Sequence, residues 1–334
     1  MKKIIVNNHR ASFVDTERPV LEKQNRLLIK VRYSAVSPGT ELKLIHQGGS
    51  DGRTLGYSAS GEVVEAGDEA ADFKQGDLVA CYGAPYVYHT EYLSVPSSLC
   101  VKLSSDRFLR SGALIGLGAI AVHSVRRLEL QFGETVWVIG LGLLGQLVAQ
   151  ICQLAHYRVV ATDPQPNRIE LAKTLGIEAA YLSSAADLQQ VLNSFSPGGL
   201  DAVSLCLTSS NPTMVDDALE QLALRGKIVL VGNVPMHFDR QLFFRKEAQL
   251  LVSRAGGPGR YDPRYEDEGI DYPKPFVRWT EGRNMEEFIR LLEKGALQAE
   301  PYLTHEFPFR EAERAYRELE EGQAAMLGVL FRYD

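Results

Sequence analysis

Three glycines in the middle of the chain, Gly140, Gly142 and Gly145, have the G-x-G-x-x-G spacing of a phosphate-binding turn. They follow the apolar run TVWVI, typical of a buried strand, and precede the run LLGQLVAQICQLA, typical of an apolar helix. Gly140 would permit the tight turn, Gly142 would let the backbone approach a pyrophosphate, and Gly145 would let strand and helix pack closely. The helix N-terminus would offer N–H groups to the phosphates. The pattern predicts a dinucleotide site, and a tight turn without a ligand is the alternative.

An acidic residue, Asp163, ends the next apolar strand, where a carboxylate binds the adenosine ribose hydroxyls. A carboxylate there would repel a ribose 2′-phosphate, so the sequence favours NAD(H) over NADP(H). Arg168 keeps NADP(H) open, since its guanidinium could hold that phosphate, stack on the adenine or face solvent. Further cofactor contacts are predicted at the start of the helix and after the later strands: Leu143, Leu144, Leu207, Gly232, Asn233 and Arg254.

The whole chain has the composition of an ordinary globular protein, with 334 residues and a net charge of -6. This length predicts about two domains, and the acidic balance argues against a dedicated nucleic-acid binder. With no signal-like start and no apolar run of membrane-spanning length, a cytoplasmic protein is expected. Four cysteines are too few and too scattered for a disulfide framework or a zinc finger: Cys81, Cys100, Cys152 and Cys206.

The order of predicted elements divides the chain into three stretches. Short strands with Gly and Pro turns fill the first hundred or so residues and predict a small barrel or sandwich. A helix over Ser111–Arg127 then leads into alternating strands and helices, among them the helix PTMVDDALEQLAL and the strand GKIVLVG. This alternation predicts a doubly wound α/β sheet. After Arg254 come a long structured loop, two amphipathic helices, the first written NMEEFIRLLEKG, and a closing strand that could complete the N-terminal module.

Several segments resemble, in order, those of the medium-chain dehydrogenase/reductases of the zinc-type alcohol dehydrogenase-like superfamily: LG with ASGEVVEAG, FKQGDLV, EYLSVP, VIGLGLLGQLVAQ and TDPQPNRIELAKTLG. The resemblance spans nearly all of the chain. It implies an α/β fold with a GroES-like β-rich catalytic domain and a Rossmann domain built on a doubly wound parallel sheet, with cofactor and substrate bound in the cleft between them. We expect the GroES-like domain over 1–118, the Rossmann domain over 119–255, and a return to the catalytic domain over 256–334.

The zinc ligands of that family have no counterparts in this sequence. AVSPGTE has Ser37 and Pro38 where the family carries its catalytic cysteine, and positions 56–58 read G-Y-S instead of G-H-E. Only Cys100 lies near the region of the structural zinc lobe. Zinc prefers thiolate, imidazole or carboxylate ligands, so we expect no zinc. SAVSPGTE and GYSASGEVVEAG resemble a zinc-independent branch that includes bacteriochlorophyllide dehydrogenases and dehydrogenases found with polysaccharide or sugar-modifying genes.

Without zinc, side chains must stabilise the alkoxide-like charge and carry the proton. Tyr57 is the first candidate, because it stands where the family's ligand histidine faces the nicotinamide; otherwise it is a packed aromatic. Thr40 matches the family hydroxyl that starts a proton relay, or it caps a turn or helix. Glu41 matches an acid that supports the site, or it is a plain first-turn carboxylate. His89, before the strand EYLSVP, could face the cleft for substrate binding or proton transfer, or be a surface histidine.

The loop after Arg254 carries arginine and aromatic side chains that suit an anionic or sugar-like substrate. A structural lid whose aromatic rings pack on the barrel explains the same residues. The candidate substrate contacts are Arg260, Tyr261, Arg278 and Trp279.

These features favour a zinc-independent, NAD(H)-dependent oxidoreductase that interconverts a secondary alcohol and a ketone on a polar, sugar- or cyclitol-like substrate. The alternatives are an NAD(P)H-dependent reductase of an activated C=C bond and a catalytically silent dinucleotide-binding partner protein. The resemblance implies that the apolar strand over 248–255 pairs with its twin across a dimer axis, and an apolar strand at a sheet edge would need such cover, so a homodimer is expected.

Overall fold

The computed structural model describes residues 1–70, 72–322 and 326–334. The described chain divides into two compact units. The first unit comprises Met1–Ala119 and Gly256–Asp334, and the second comprises Ile120–Ala255.

The strands lie in both units. They are β1 (Lys2–Asn7), β2 (Arg10–Asp15), β3 (Arg26–Val36), β4 (Ser58–Ala66), β5 (Leu78–Tyr82), β6 (Tyr92–Pro96), β7 (Cys100–Lys102), β8 (Thr135–Ile139), β9 (Arg158–Asp163), β10 (Ala180–Leu182), β11 (Leu200–Leu205), β12 (Leu222–Leu230), β13 (Gln249–Val252), β14 (His305–Pro308) and β15 (Val329–Arg332).

The helices also lie in both units. They are α1 (Pro38–His46), α2 (Leu109–Gly112), α3 (Ile115–Leu128), α4 (Leu143–Leu154), α5 (Pro166–Thr174), α6 (Leu188–Phe195), α7 (Met214–Gln221), α8 (Arg240–Lys246), α9 (Pro263–Glu266), α10 (Glu281–Glu293) and α11 (Ala312–Glu320).

The second unit is built on a parallel sheet with the strand order β10-β9-β8-β11-β12-β13. Every residue of β8 is buried, as expected for a central strand whose apolar side chains cover both faces. The chain reverses its direction of winding between β8 and β11, which is where ligands bind in sheets of this kind. The predicted doubly wound parallel sheet is thereby confirmed.

The helix in the stretch PTMVDDALEQLAL is shorter than the apolar spacing predicts. α7 ends at Gln221, and Leu222 takes an extended conformation that begins β12. Leu222 is fully buried and pairs with Leu200 of β11. Strand pairing therefore overrides the helical periodicity in this stretch, and the prediction was wrong for its last three residues.

The first unit contains a sheet in the order β14-β15-β3-β4-β5-β7, with β6 paired to β3, and a separate hairpin of β1 and β2. Its core includes Val31, Val63, Leu93 and Phe331. The C-terminal strand β15 lies antiparallel to β3, so the end of the chain completes the N-terminal sheet as predicted. This pairing holds β3 rigid directly before the turn that opens α1.

The helix predicted over Ser111–Arg127 is broken, since α2 and α3 meet at an angle of 63°. Ser58 compensates for the break, because its hydroxyl donates to the Ala113 carbonyl at 2.6 Å and accepts from the Gly116 N–H at 2.8 Å. The break places the start of α3 against the beginning of β4. In the described residues no single helix has the length and apolar character to cross a membrane; α2 with its preceding turn and α3 reach that length only as this bent pair.

The loop predicted after Arg254 is made of turns around the short helix α9. α10 begins at Glu281, three residues before the predicted Asn284, because the Thr280 hydroxyl accepts the Arg283 N–H and caps the helix. The earlier start matters for the chemistry of the unit, since it places an acidic side chain at the buried end of the helix.

Candidate functional site

The turn after β8 has the geometry that a dinucleotide needs. Gly140 has a φ of +94°, and a Cβ there would lie 2.9 Å from the Leu207 Cβ. A Cβ on Gly145 would lie 1.8 Å from the Gly140 carbonyl oxygen, so strand and helix touch through backbone alone. A Cβ on Gly142 would meet nothing within 4 Å, which leaves this side of the turn open to a phosphate.

The first turn of α4 presents backbone donors at this open side. Gly142 is the N-cap residue, and no side chain caps the helix. The N–H groups of Leu143, Leu144 and Gly145 belong to the first turn, where a helix has no internal acceptors for them. An anion is the natural partner of such an end, so these residues fit the pyrophosphate.

Asp163 is held at the end of β9 by three donors. Its carboxylate accepts the Leu141 N–H at 2.7 Å and the Gln165 N–H at 2.9 Å, and Arg168 Nη1 lies 3.4 Å away. Only 2% of Asp163 is exposed. The carboxylate is thus positioned beside the glycine turn with lone pairs left over for ribose hydroxyls, and Arg168 is already engaged with it.

Three other predicted cofactor residues meet around the same turn. A Cβ on Gly232 would lie 1.9 Å from the Leu207 carbonyl oxygen, which in turn accepts the Asn233 N–H at 3.0 Å. Leu207 also faces Gly140. The structure therefore brings Leu207, Gly232 and Asn233 together at the carboxyl ends of the strands, whereas Arg254 follows β13 and is exposed.

A mostly apolar cavity of about 490 Å³ opens in the second unit beside these strand ends. Its lining includes Thr162 and Pro164 on either side of Asp163, Ser183 after β10, and Leu207. The flat faces of an aromatic base such as adenine fit walls of this kind. Sequence reasoning named Leu207 and missed Thr162, Pro164 and Ser183, although the positions at the ends of successive parallel strands were a usable signal.

In the first unit, the predicted residues Tyr57 and Thr40 come together with Ser37. The Ser37 hydroxyl donates to Thr40 Oγ1 at 3.3 Å. Burial raises the pKa of Tyr57 well above its usual range, and hydrogen bonding by the Ser37 and Thr40 hydroxyls opposes this rise. Tyr57 therefore keeps its proton at neutral pH, and its half-buried phenol is a hydrogen-bond donor among other hydroxyls.

Glu41 and His89 are direct partners, and both lie inside the unit. His89 Nε2 lies 3.1 Å from Glu41 Oε2, and its Nδ1 lies 2.7 Å from the Ser34 hydroxyl. Glu41 also accepts the Ser37 N–H at 2.7 Å and the hydroxyl of Tyr316. Only 2% of Glu41 and none of His89 is exposed. Neither side chain faces solvent, so the arrangement favours support of the site over direct contact with a substrate.

Sequence reasoning missed three members of this buried network: Ser34, Tyr316 and Tyr333. Tyr333 shares a hydrogen bond of 2.9 Å with Ser34, and Tyr316 lies 275 residues from Glu41 in the chain. Burial raises the pKa of both tyrosines well above the usual range. No local pattern marks them, because an aromatic residue in an apolar stripe is ordinarily a core residue.

The four predicted substrate residues have different surroundings. Arg260 is buried, pairs with Glu266, donates to the Ala84 carbonyl, and lies 4.2 Å from the centre of the Tyr261 ring. This favours a structural role for its guanidinium. Tyr261, Arg278 and Trp279 are exposed and could reach a ligand.

The side chains around Tyr57 do not form a zinc-ligand set. Ser37, Thr40 and Tyr57 are neutral hydroxyls, and Glu41 and His89 are committed to each other. Across the described residues, no group of three or more His, Cys, Asp or Glu side chains could hold a metal ion. Structural zinc sites take four such ligands and catalytic sites three, so these residues do not fit the metal.

Comparison with known proteins gives matches over both units. Residues 23–123 match the alcohol dehydrogenase GroES-like domain family, and residues 144–267 match the zinc-binding dehydrogenase family. The chain is 23% identical to a probable D-xylulose reductase A of Aspergillus terreus, over 94% of this chain and 93% of the relative. It is 27% identical to the L-galactonate-5-dehydrogenase of Escherichia coli, over 92% of each.

Among solved structures, galactitol-1-phosphate dehydrogenase from Escherichia coli superposes with a TM-score of 0.80 at 22% identity. The match covers 99% of this chain and 100% of that protein. At this identity the likeness concerns the fold, and it agrees with the two sheets described above.

Replacing Asp163 by serine tests the assignment of the ribose site. We expect Asp163→Ser to weaken NADH binding roughly 10- to 100-fold, the cost of losing hydrogen bonds to a charged acceptor. It should also bring NADPH binding closer to NADH binding, because the repelling carboxylate is gone and Arg168 is released. Fluorescence titration with both nucleotides measures the two affinities. The exposed Asp187 provides the control Asp187→Ser, which should bind as the wild type does; an unaltered NADH affinity in Asp163→Ser would refute the assignment.

Proposed function

Since this chain belongs to the zinc-type alcohol dehydrogenase-like superfamily of medium-chain dehydrogenase/reductases and is an oxidoreductase of that kind, we propose that it uses NAD(H), without zinc, to interconvert a secondary alcohol and a ketone. The observation that carries the proposal is the cluster of Tyr57, Ser37 and Thr40, three hydroxyls with no zinc ligand set around them. A hydroxyl-rich substrate such as a sugar or cyclitol is proposed, by analogy with the polyol and sugar-acid relatives named above.

The second unit would hold the cofactor through three groups of atoms. The N–H groups at the start of α4 would bind the pyrophosphate, Asp163 would accept the ribose hydroxyls, and the apolar cavity at the strand ends would take the adenine. When bound, the nicotinamide supplies the hydride chemistry. We propose NAD(H) because the Asp163–Arg168 pair would have to separate before a 2′-phosphate could be held.

Tyr57 is proposed as the group that stabilises charge on the substrate oxygen. A phenol with a raised pKa is a poor base but keeps its proton, so it can donate a hydrogen bond to the oxygen as negative charge develops there. In the direction of ketone reduction Tyr57 would deliver this proton, and Thr40 and Ser37 would orient the phenol. Stabilising the charge on the substrate oxygen is the task that zinc performs in zinc-dependent enzymes.

Glu41 and His89 are proposed as positioning residues. Glu41 lies in the first turn of α1, directly after Thr40, and holds the Ser37 N–H. His89 fixes Glu41 from the other side and packs against Gly56, where a Cβ would lie 2.7 Å from its ring. The pair thereby holds both chain segments that carry the hydroxyl cluster.

Tyr261, Arg278 and Trp279 are proposed to contact the substrate. Exposed aromatic rings can stack on the apolar face of a sugar, and a guanidinium can hold hydroxyl or acidic groups. Arg260 is left out of this proposal because it is paired with Glu266.

Removing the Tyr57 hydroxyl tests its proposed part in the reaction. We expect Tyr57→Phe to lower kcat roughly 10²- to 10⁴-fold, the contribution of a positioned proton donor. NADH affinity should be unchanged, since the cofactor residues lie in the other unit. Steady-state assays on a panel of sugar alcohols and ketosugars, with enones included, measure the effect. Tyr88→Phe, which alters another partly buried tyrosine, is the control. Full activity of Tyr57→Phe, or turnover of enones only, would count against the proposal.

The metal content of the purified protein tests the proposed independence from zinc. We expect far less than one zinc ion per chain and no loss of activity after dialysis against a strong chelator, because the described part of the chain has no set of zinc ligands. Elemental analysis alongside the activity assay checks this. Stoichiometric zinc whose removal abolishes turnover would overturn the proposal.

A homodimer through β13 is also proposed. β13 is the edge strand of its sheet, and Val252 on it is 61% exposed. An uncovered apolar edge invites pairing with a second copy. We expect a dimer in light scattering and a monomer for Val252→Lys, since a charge would be buried in the new interface. A monomeric wild type would show that the edge stays uncovered.

A further inference from the structure

The carboxyl group of Glu281 is buried at the N-terminus of α10 and has no donor to satisfy it. Glu281 is 0% exposed, and among the described residues no donor reaches either of its oxygens. One turn later, Asn284 donates to the Gly256 carbonyl at 2.8 Å, and its own Oδ1 also lacks a partner in the described chain. Unpartnered buried acceptors are costly, and each calls for an explanation.

Tyr82 separates this carboxyl group from Tyr57. A Cβ on Gly256 would lie 2.9 Å from the Tyr82 ring and 3.5 Å from Glu281 Oε2, so the ring and the carboxyl group both lie beside this glycine. On its other side, Tyr82 packs edge to face with Tyr57 at a centroid distance of 5.8 Å. A Cβ on Gly116 would lie within 3 Å of both rings. A movement of Tyr82 would therefore change the contact that holds the Tyr57 ring.

A single cation, Arg260, faces two carboxyl groups, Glu266 and Glu281, and can balance the charge of only one of them. Arg260 pairs with Glu266, which also accepts the Tyr261 N–H at 2.9 Å, and the Arg260 guanidinium lies 5.5 Å from the centre of the Tyr82 ring. The groups that face Glu281 are thus one cation, a second carboxyl group and the phenols of Tyr82 and Tyr265.

Of the two carboxyl groups, Glu266 is the one with donors, so the proton resides on Glu281. A protonated Glu281 can donate to Glu266, and this hydrogen bond is absent when both groups are ionised. Burial, as the main cause, and the charge of Glu266 raise the pKa of Glu281 to about 8, against the attraction of Arg260.

We propose that Glu281 is a positioning residue of the proposed reaction: as a neutral acid bonded to Glu266 it holds Tyr82 against Tyr57 and thereby sets the place of the Tyr57 hydroxyl. The inference rests on the proposed function, since it assigns the role through Tyr57. Loss of the proton would set two buried carboxylates against one guanidinium and draw Arg260 away from its place over Tyr82. The loop between Gly256 and Thr280 and the ring of Tyr82 would then loosen together.

Thermal unfolding tests the protonation without any assay of activity. The folded pKa of Glu281 is raised from the ordinary 4.5 to about 8, so folding favours the neutral acid, and this stabilisation is lost as pH rises from about 4.5 to about 8. Glu281→Gln keeps the neutral shape at every pH. The melting temperature of this variant should therefore gain on that of the wild type from about pH 4.5 up to about pH 8, and the difference should stay constant above that. The exposed Glu268 gives the control Glu268→Gln, which should follow the wild type.

The pH profile of turnover tests the positioning role. We expect the ratio of kcat for Glu281→Gln to kcat for the wild type to rise with pH, reaching roughly tenfold one pH unit above the pKa, while KM for NADH stays equal. Effects of pH on the cofactor and on the released proton cancel in this ratio. Glu266→Gln is a second variant. It removes the competing carboxylate, so Arg260 interacts with Glu281 alone and lowers its pKa. The loss of activity at alkaline pH should then no longer occur in this pH range.

The outcomes separate the two proposals. A constant kcat ratio overturns the positioning role, even if the melting curves show that Glu281 titrates. If the melting temperatures of Glu281→Gln and the wild type change with pH in the same way, Glu281 does not carry the proton. Absence of turnover on any alcohol or ketone defeats the proposed function, and the unfolding experiment still decides whether Glu281 carries the proton.

Discussion

The buried carboxylate of Glu41 is the interaction on which the first unit's chemistry depends. It accepts hydrogen bonds from the Ser37 N–H, the His89 ring and the Tyr316 hydroxyl, and so joins three segments that are distant in sequence. A buried carboxylate that loses one of its donors is strongly destabilised, so these segments hold each other in a single arrangement. Because Thr40 and Ser37 belong to the same turn, the arrangement also places the hydroxyls beside Tyr57.

The second unit meets a different constraint, which is the closeness of backbone to backbone. Gly145 and Gly232 sit where a Cβ would overlap a carbonyl oxygen, while Gly142 leaves its side of the turn empty. Gly145 and Gly232 let neighbouring backbone segments pack closely at the strand ends, and Gly142 leaves space for a ligand. The proposed nucleotide site and the proposed proton-donor site thus lie in separate units and use different groups, backbone donors in one and side-chain hydroxyls in the other.

Sequence reasoning succeeded where a local pattern has one structural solution. The glycine spacing, the buried strand before it and Asp163 after it led to the parallel sheet and the predicted phosphate turn. It failed where long-range contacts decide: Leu222 joined a strand in spite of its helical spacing, and the helix over Ser111–Arg127 broke where Ser58 could bond both exposed backbone groups. Thr40 and Tyr57 were predicted from the resemblance and stay a prediction, whereas Tyr316 and Tyr333 carried no signal in the sequence.

The sequence by itself determined the class of fold and the kinds of group available for chemistry, because hydrophobic periodicity and glycine spacing act between near neighbours in the chain. Only the tertiary structure decided the state of each polar group. Burial and partners make Glu41 a support, Arg260 a structural cation, and Tyr57 a phenol that retains its proton. Those properties depend on what surrounds a side chain in space, and residues up to 275 positions apart provide those surroundings.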